Sequence, residues 1–166
     1  METNQAGINF PSGRLDLYLT EIGEPLDNEL RVVVRQASLG QSTTIDDPPF
    51  TIENVRPIEV TGKSAAWELY WANYVAYVVR NESYWSREKG EPDFAGHLSR
   101  RFNSAFFRYV SSTTFADDDY PGPLQHWALT TLNHCLDVIS TEPPQIRSLD
   151  PPEAGRGPTS PNFAKG

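Results

Sequence analysis

Residues 67–85 read W-E-L-Y-W-A-N-Y-V-A-Y-V-V-R-N-E-S-Y-W and hold three of the chain's four tryptophans and four of its seven tyrosines. A helix would place Trp67, Tyr70 and Trp71 on one side, with Ser64 as a cap. A strand would alternate instead, with Trp67, Leu69 and Trp71 on one face. Because aromatic and β-branched residues favour strands, we predict a long strand or hairpin at the centre of the core. A helix over 64–79 stays open as the alternative.

Alternating apolar residues predict further strands on both sides of this segment. Arg14–Ile22 places Leu15, Leu17 and Leu19 on one face, and Glu29–Ala37 is rich in valine. Both patterns are typical of strands. Residues 41–49 are polar and end in two prolines, which indicates a loop. Phe50–Thr61 alternates again, with Pro57 marking a bend or a sheet edge.

The second half of the chain adds one helix and one long strand-like segment. In Ser104–Ser111, Ser104 can cap a helix whose apolar stripe contains Phe106, Phe107 and Val110. Leu124–Thr141 predicts one bent strand, or two strands joined near Asn133 and His134. Helices do not alternate with strands, so a parallel βαβ arrangement is not expected.

These elements predict an α+β fold that is mainly β, with an antiparallel sheet or half-barrel packed against one short helix. We expect a flexible N-terminus over 1–13 and a single globular domain over 14–141. Residues 142–166 contain six prolines and little apolar pattern. That composition indicates a disordered tail.

Composition narrows the classes of function. A net charge of −8 argues against binding nucleic acid and favours a protein partner with a basic surface. No apolar run approaches the ~20 residues of a membrane span, and the N-terminus lacks the pattern of a secretory signal. We therefore expect a cytoplasmic protein that binds neither nucleic acid nor membrane. The single cysteine, Cys135, excludes an intrachain disulfide and lies among apolar residues as a buried thiol would.

The run Asp117-Asp118-Asp119-Tyr120 is the first candidate site. Three carboxylates in a loop can bind a hard cation, but the EF-hand spacing and its distal Glu are missing. A plain solvated loop is one interpretation. Among the functional ones, we favour a docking surface for a basic partner.

The three histidines, His97, His126 and His134, form the second candidate. They could supply a metal site or a general base, but none of the usual spacings such as H-x-x-x-H occurs. The sequence also lacks G-x-S-x-G, Walker and G-x-G-x-x-G motifs. We predict no metal site and no cofactor, and lean against an enzyme without excluding one.

Three runs resemble a family of small, largely uncharacterised bacterial proteins. They are Y-V-A-Y-V-V-R-N-E-S-Y (74–84), F-A-D-D-D-Y-P-G-P-L-Q-H-W (115–127) and N-H-C-L-D-V-I-S-T-E-P-P (133–144). The resemblance spans Phe50–Pro144 and carries no catalytic residue over to this chain. In size and acidity such proteins are similar to immunity proteins that neutralise bacterial toxins.

Three functional hypotheses follow. The first is a non-enzymatic, immunity-type protein that occludes a toxin or effector through an acidic surface. Its contact residues would be Asp117, Asp118, Asp119, Tyr120 and Trp85.

The second hypothesis is a small-ligand-binding β domain with an aromatic pocket lined by Trp67, Trp71, Asn73, Tyr74 and Tyr77. The third is an enzyme that uses His126 with an aspartate, which would require the two side chains to meet in a cleft.

Overall fold

The computed structural model describes residues 10–11, 16–87, 89 and 96–150. This part of the chain is mainly β, with antiparallel sheets and one α-helix. The strands are β1 (Leu17–Gly23), β2 (Leu30–Gln36), β3 (Ser38–Leu39), β4 (Thr43–Asp47), β5 (Phe50–Val55), β6 (Ile58–Glu59), β7 (Ala66–Trp71), β8 (Ala76–Asn81), β9 (Leu98–Arg101), β10 (Gln125–Thr130), β11 (His134–Ser140) and β12 (Gln145–Leu149). The helix, α1, is Ala105–Thr113.

Two antiparallel four-stranded sheets carry the fold. The first has the strand order β1-β2-β7-β12 and the second has the order β8-β11-β10-β9. The expected mainly β, antiparallel class is confirmed, with the strands divided between two sheets. No helix in the described ranges is long and apolar enough to cross a bilayer.

One buried cluster joins the two sheets. Leu69 and Trp71 of the first sheet and Trp127 and Leu136 of the second belong to it. Successive side chains of a strand point to opposite faces, so each sheet turns one apolar face to this core. The Asn133 side chain, between β10 and β11, bonds both the N–H and the C=O of Leu19 in β1, each at 3.0 Å. The core therefore lies between the sheets, and their other faces are free to carry charged groups.

The aromatic segment supplies one strand to each sheet. β7 lies between β2 and β12, and β8 forms an edge of the other sheet. The helical alternative for 64–79 is wrong, and so is the hairpin, because β7 and β8 do not pair. The crossing residues bond first to the turn between β1 and β2 and then to β11: the Tyr74 N–H donates to Asn28 O, and the Val75 N–H donates to Ile139 O.

Helix α1 begins as the sequence predicts. Ser104 is its N-cap, and the Ser104 hydroxyl oxygen accepts the Phe107 N–H at 3.0 Å. Val110 is buried, and the Phe106 ring lies edge-on to the His126 ring at 5.8 Å. His126 belongs to β10, on the face opposite the core residue Trp127, so α1 covers the outer face of the second sheet.

The C-terminal boundary of the domain differs from the sequence prediction. The domain does not end at residue 141, because Gln145–Leu149 forms β12 on β7, with Leu149 buried. The prolines on both sides of this segment hid its short alternating pattern of apolar and polar residues in the sequence. Residues 151–166, the rest of the predicted tail, lie outside the described residues, as does nearly all of the predicted N-terminal segment 1–13.

The predicted loop at 41–49 was also wrong in part. Thr43–Asp47 forms β4, which pairs with β5 in a two-stranded hairpin. We call residues 43–55 the 43–55 hairpin. Within the part of the chain that the structure describes, neither of its strands pairs with a third strand. Polar residues and two prolines concealed this strand, because it lacks the buried face from which a strand is ordinarily recognised.

Candidate functional site

The outer face of the second sheet carries a cluster of charged and polar side chains, which we call the Asp137 network: Arg80, Arg101, Ser104, His126 and Asp137. Its four sheet residues come from four adjacent strands, and Ser104 comes from the start of α1. Strand alternation places them opposite the core residues of the same strands. Four of the five are buried or nearly so, and the side chain of Arg80 is 41% exposed.

A chain of hydrogen bonds runs from Ser104 through His126 to Asp137. Ser104 Oγ lies 2.6 Å from His126 Nδ1, and His126 Nε2 lies 2.8 Å from Asp137 Oδ1. Because Ser104 Oγ accepts the Phe107 N–H, its own proton is available for Nδ1. The Asp137 carboxylate can only accept a hydrogen bond, so His126 Nε2 carries the hydrogen. A neutral imidazole satisfies every one of these bonds.

Two arginines reach Asp137 from opposite edges of the sheet. Arg80 Nη2 bonds Asp137 Oδ2, and Arg101 Nη1 lies 3.6 Å from Oδ1. Burial by itself raises the pKa of the Asp137 carboxyl. The His126 hydrogen bond and the two guanidinium groups outweigh burial, so its pKa lies below the ordinary value. Asp137 is therefore an anion that holds three elements of this face together.

The order Ser104–His126–Asp137 is that of a proton relay. In hydrolases, a histidine so placed removes the serine proton while a carboxylate orients the ring. Here Ser104 is buried and its oxygen caps α1, so the same bonds also fix the helix on the sheet. The structural condition of the third hypothesis, a histidine meeting a carboxylate, is fulfilled by His126 and Asp137. Sequence alone could not select Asp137 from 22 acidic residues.

The other two histidines do not join this cluster. His97 Nδ1 lies 3.0 Å from Thr130 O, and His134 lies at the start of β11. In the part of the chain that the structure describes, no three His, Cys, Asp or Glu side chains are placed to hold a metal ion.

A pocket of about 160 Å³ opens beside the network. We call it the α1 pocket. All five network residues line it, together with Ala105 and Phe106 from the first turn of α1 and Ser86 and Arg87 from the segment after β8. Sequence reasoning considered Arg80, with Asn81, Glu82 and Ser83, as a polar cluster at a strand end that could form a ligand-binding corner or only a turn network. It missed Arg101, which carries no local signal in the sequence.

The predicted acidic site is an exposed loop. Asp117 Oδ1 accepts the N–H groups of Asp119 and Tyr120, each at 2.9 Å, so this carboxylate shapes the turn. Asp118 and Asp119 are exposed to solvent. Tyr120 stacks on Phe115 with ring centroids 6.1 Å apart, and the two rings are 66% and 83% exposed. The structure thus places two exposed aromatic rings beside exposed carboxylates.

Trp85 lies apart from the acidic loop. It is half-buried, and the Arg101 guanidinium lies 5.9 Å from the centre of its ring. Among the five predicted partner contacts, the structure groups Asp117, Asp118, Asp119 and Tyr120 in one loop and sets Trp85 beside the α1 pocket.

The predicted aromatic ligand site is mostly core. Trp71 is buried, and Trp67, Tyr74 and Tyr77 pack against the same core cluster. The Tyr74 and Tyr77 hydroxyls both donate to Glu24 Oε1, at 2.7 and 3.1 Å. Asn73 is exposed. None of these five residues lines the α1 pocket.

One face of the 43–55 hairpin carries three apolar side chains, Ile45, Phe50 and Ile52, beside Asp47. We call it the apolar face, and the sequence did not reveal it. Ile45 pairs with Ile52, and Asp47 pairs with Phe50, so these four side chains share a face. The opposite face carries Asp46, whose carboxylate accepts the Thr51 hydroxyl at 2.7 Å. Ile45 is 47% exposed, Ile52 57% and Phe50 71%.

A comparison of this chain with known protein families, curated proteins and solved structures found no match.

Proposed function

We propose that this protein is a non-enzymatic protein-binding module, and that its partner covers the apolar face of the 43–55 hairpin. The observation that carries the proposal is the exposure of Ile45, Phe50 and Ile52 on one side of a two-stranded ribbon. An isolated hairpin of this kind is marginal in water, and its apolar face gains stability from a partner.

Burial of these three side chains against a partner would contribute favourably to binding. Full burial of an Ile or Phe side chain contributes roughly 1.5–3 kcal/mol. Ile45 and Ile52 are 47% and 57% exposed and Phe50 is 71% exposed, so their burial against a partner contributes about 1–2 kcal/mol apiece. Adjacent apolar anchors of this kind cluster near the centre of binding surfaces.

The negative charge of the hairpin indicates the kind of partner. Asp46, Asp47 and Glu53 are exposed on the same hairpin, in a chain of net charge −8. A second copy of this chain would bring equal charges together, which opposes self-association. A different protein, with an apolar groove bordered by Lys and Arg, matches both features of the hairpin.

The most concrete form of the proposal is an immunity-type protein that occludes a bacterial toxin or effector. The acidic surface and the family resemblance support this form. The loop formed by Phe115, Asp118, Asp119 and Tyr120 offers a second contact of the same chemistry, aromatic anchors beside carboxylates. Trp85 belongs to it only if the partner also reaches the α1 pocket.

Affinity capture from native lysate tests the proposal with matched variants. Phe50→Ser and Ile52→Thr remove apolar surface from the hairpin, and Tyr84→Ser removes a more exposed aromatic ring outside it. We expect wild type and Tyr84→Ser to retain one stoichiometric basic protein at low salt, and Phe50→Ser with Ile52→Thr to lose it. High salt should weaken capture.

Two results would overturn the proposal. One is the absence of any stoichiometric partner at either salt concentration. The other is equal capture by the hairpin variant and by wild type. The immunity-type form has its own test: the captured partner, expressed alone, should arrest growth, and co-expression of wild type but not of the hairpin variant should restore it.

A further inference from the structure

We propose that the α1 pocket binds a phosphate group, either inorganic phosphate or a small phosphate monoester. The geometry behind this assignment is the meeting of three arginines and the N-terminus of α1 around one small cavity. This site is separate from the 43–55 hairpin, and the inference does not depend on the proposed function.

The charges that line the pocket favour an anion. Arg80, Arg87 and Arg101 supply three guanidinium groups, and Asp137 supplies a single carboxylate. Apart from His126, the lining carries three positive charges and one negative charge, in a chain whose net charge is −8. A concave positive site on an acidic protein concentrates anions locally. The excess of two matches a phosphate dianion better than a carboxylate.

The residues that line the pocket also carry hydrogen-bond donors suited to an anion. Arg80 Nε is buried, and no described residue accepts its hydrogen. A guanidinium offers donors in a fork that fits phosphate oxygens, so the bond to Asp137 leaves further donors of Arg80 for a ligand. Ala105 and Phe106 bring the first turn of α1 to the cavity wall. Backbone N–H groups and the helix dipole favour an anion at that end.

The size of the cavity limits what enters. At about 160 Å³ it is smaller than the ~300 Å³ and more of a pocket for a drug-sized molecule. A phosphate group fits, whereas a nucleotide base does not fit with it. The rest of a monoester would lie toward Arg87, which is exposed at the mouth.

Isothermal titration calorimetry at pH 7.5 and constant ionic strength tests the proposal with three probes: inorganic phosphate, O-phosphoserine and acetate. We expect saturable binding of inorganic phosphate, and acetate weaker by about tenfold, because it carries one charge fewer and makes fewer charge-assisted bonds. Binding of phosphoserine shows that the pocket admits a monoester, and binding of phosphate alone identifies the free ion. Both results support the assignment.

The variants locate the site. Arg80→Gln should weaken phosphate binding by about tenfold or more, since one charge-assisted contact is lost. Arg87→Gln, at the exposed mouth, should weaken it by a few fold without unfolding the chain. Arg56→Gln removes an equally exposed arginine on another segment and should change nothing beyond the general effect of charge.

Three results would overturn the assignment: no saturable heat with phosphate, acetate binding as tightly as phosphate, or Arg56→Gln weakening binding as much as Arg87→Gln. The His126 ring resonances give an independent readout. They should shift with phosphate along the same saturation curve, and unchanged resonances at saturation would place the ion elsewhere.

Discussion

Replacing Asp137 by Asn should destabilise the protein by about 3 kcal/mol. The amide keeps the shape of the carboxyl and can still accept from His126, so the chief loss is the negative charge between Arg80 and Arg101. Removing one partner of a buried ion pair costs about 3–5 kcal/mol. The Arg101 side chain is only 8% exposed, so its charge would be left buried without the Asp137 carboxylate. The Arg80 side chain is 41% exposed, so water would solvate its charge and reduce the loss on that side. The lower end of the range is therefore expected.

Urea unfolding at pH 7, followed by tryptophan fluorescence, measures the effect. With a slope of about 2 kcal/mol per molar urea for a protein of this size, the midpoint should fall by about 1.5 M at unchanged slope. Asp118→Asn is the matched control, because Asp118 is exposed and surface changes of this kind stay within about 0.5 kcal/mol. A loss below about 1 kcal/mol for Asp137→Asn would refute the assigned role of the network.

The difference in stability between wild type and Asp137→Asn should depend on pH in one definite direction. The pKa of Asp137 is lowered in the folded protein. Its contribution is therefore fully present above the unfolded pKa of about 3.9 and is lost as pH falls through the lower folded pKa. The gap in free energy of unfolding between wild type and Asp137→Asn should shrink as the pH falls below about 4. A gap that grew in acid would contradict this cause.

Two further predictions concern single groups. Burial raises the pKa of the Cys135 thiol, so alkylation at pH 8 should be slow in the native protein and fast in urea, and equal rates would show an open thiol. Burial, helped by the bond to Glu24, raises the pKa of Tyr74 to about 12. The absorbance difference between wild type and Tyr74→Phe should therefore titrate near pH 12, and stability from this group should be lost between pH 10 and 12; a midpoint near 10 would contradict it.

Local patterns predicted the elements of the fold well where one face is buried. The cap at Ser104 and the alternation around Trp127 each follow from short-range chemistry, and both are confirmed. The partition into two sheets was not predictable, because pairing between distant strands leaves no mark in periodicity. The crossing at Tyr74 and Val75 depends on carbonyls of Asn28 and Ile139, which are far away in sequence.

The candidate sites were harder to predict from the sequence than the strands and the helix, again because they depend on pairing between distant residues. His126 was singled out, but its partner Asp137 could be identified only when β10 and β11 were paired. The 43–55 hairpin was missed in part because its alternation is interrupted by prolines and its apolar face covers nothing. A strand that packs against the core shows its buried face as an alternating pattern in the sequence. A strand whose apolar face is left for a partner shows no such clear pattern.

The central claim, that the apolar face of the 43–55 hairpin is a binding surface for a basic protein, is tested most directly by site-specific crosslinking in cells. A photoreactive phenylalanine analogue in place of Phe50 should give one dominant adduct with a basic protein. The same analogue in place of the exposed Tyr84 should not. The claim would be contradicted by identical adducts at both positions, by adducts only with a second copy of this chain, or by none at Phe50.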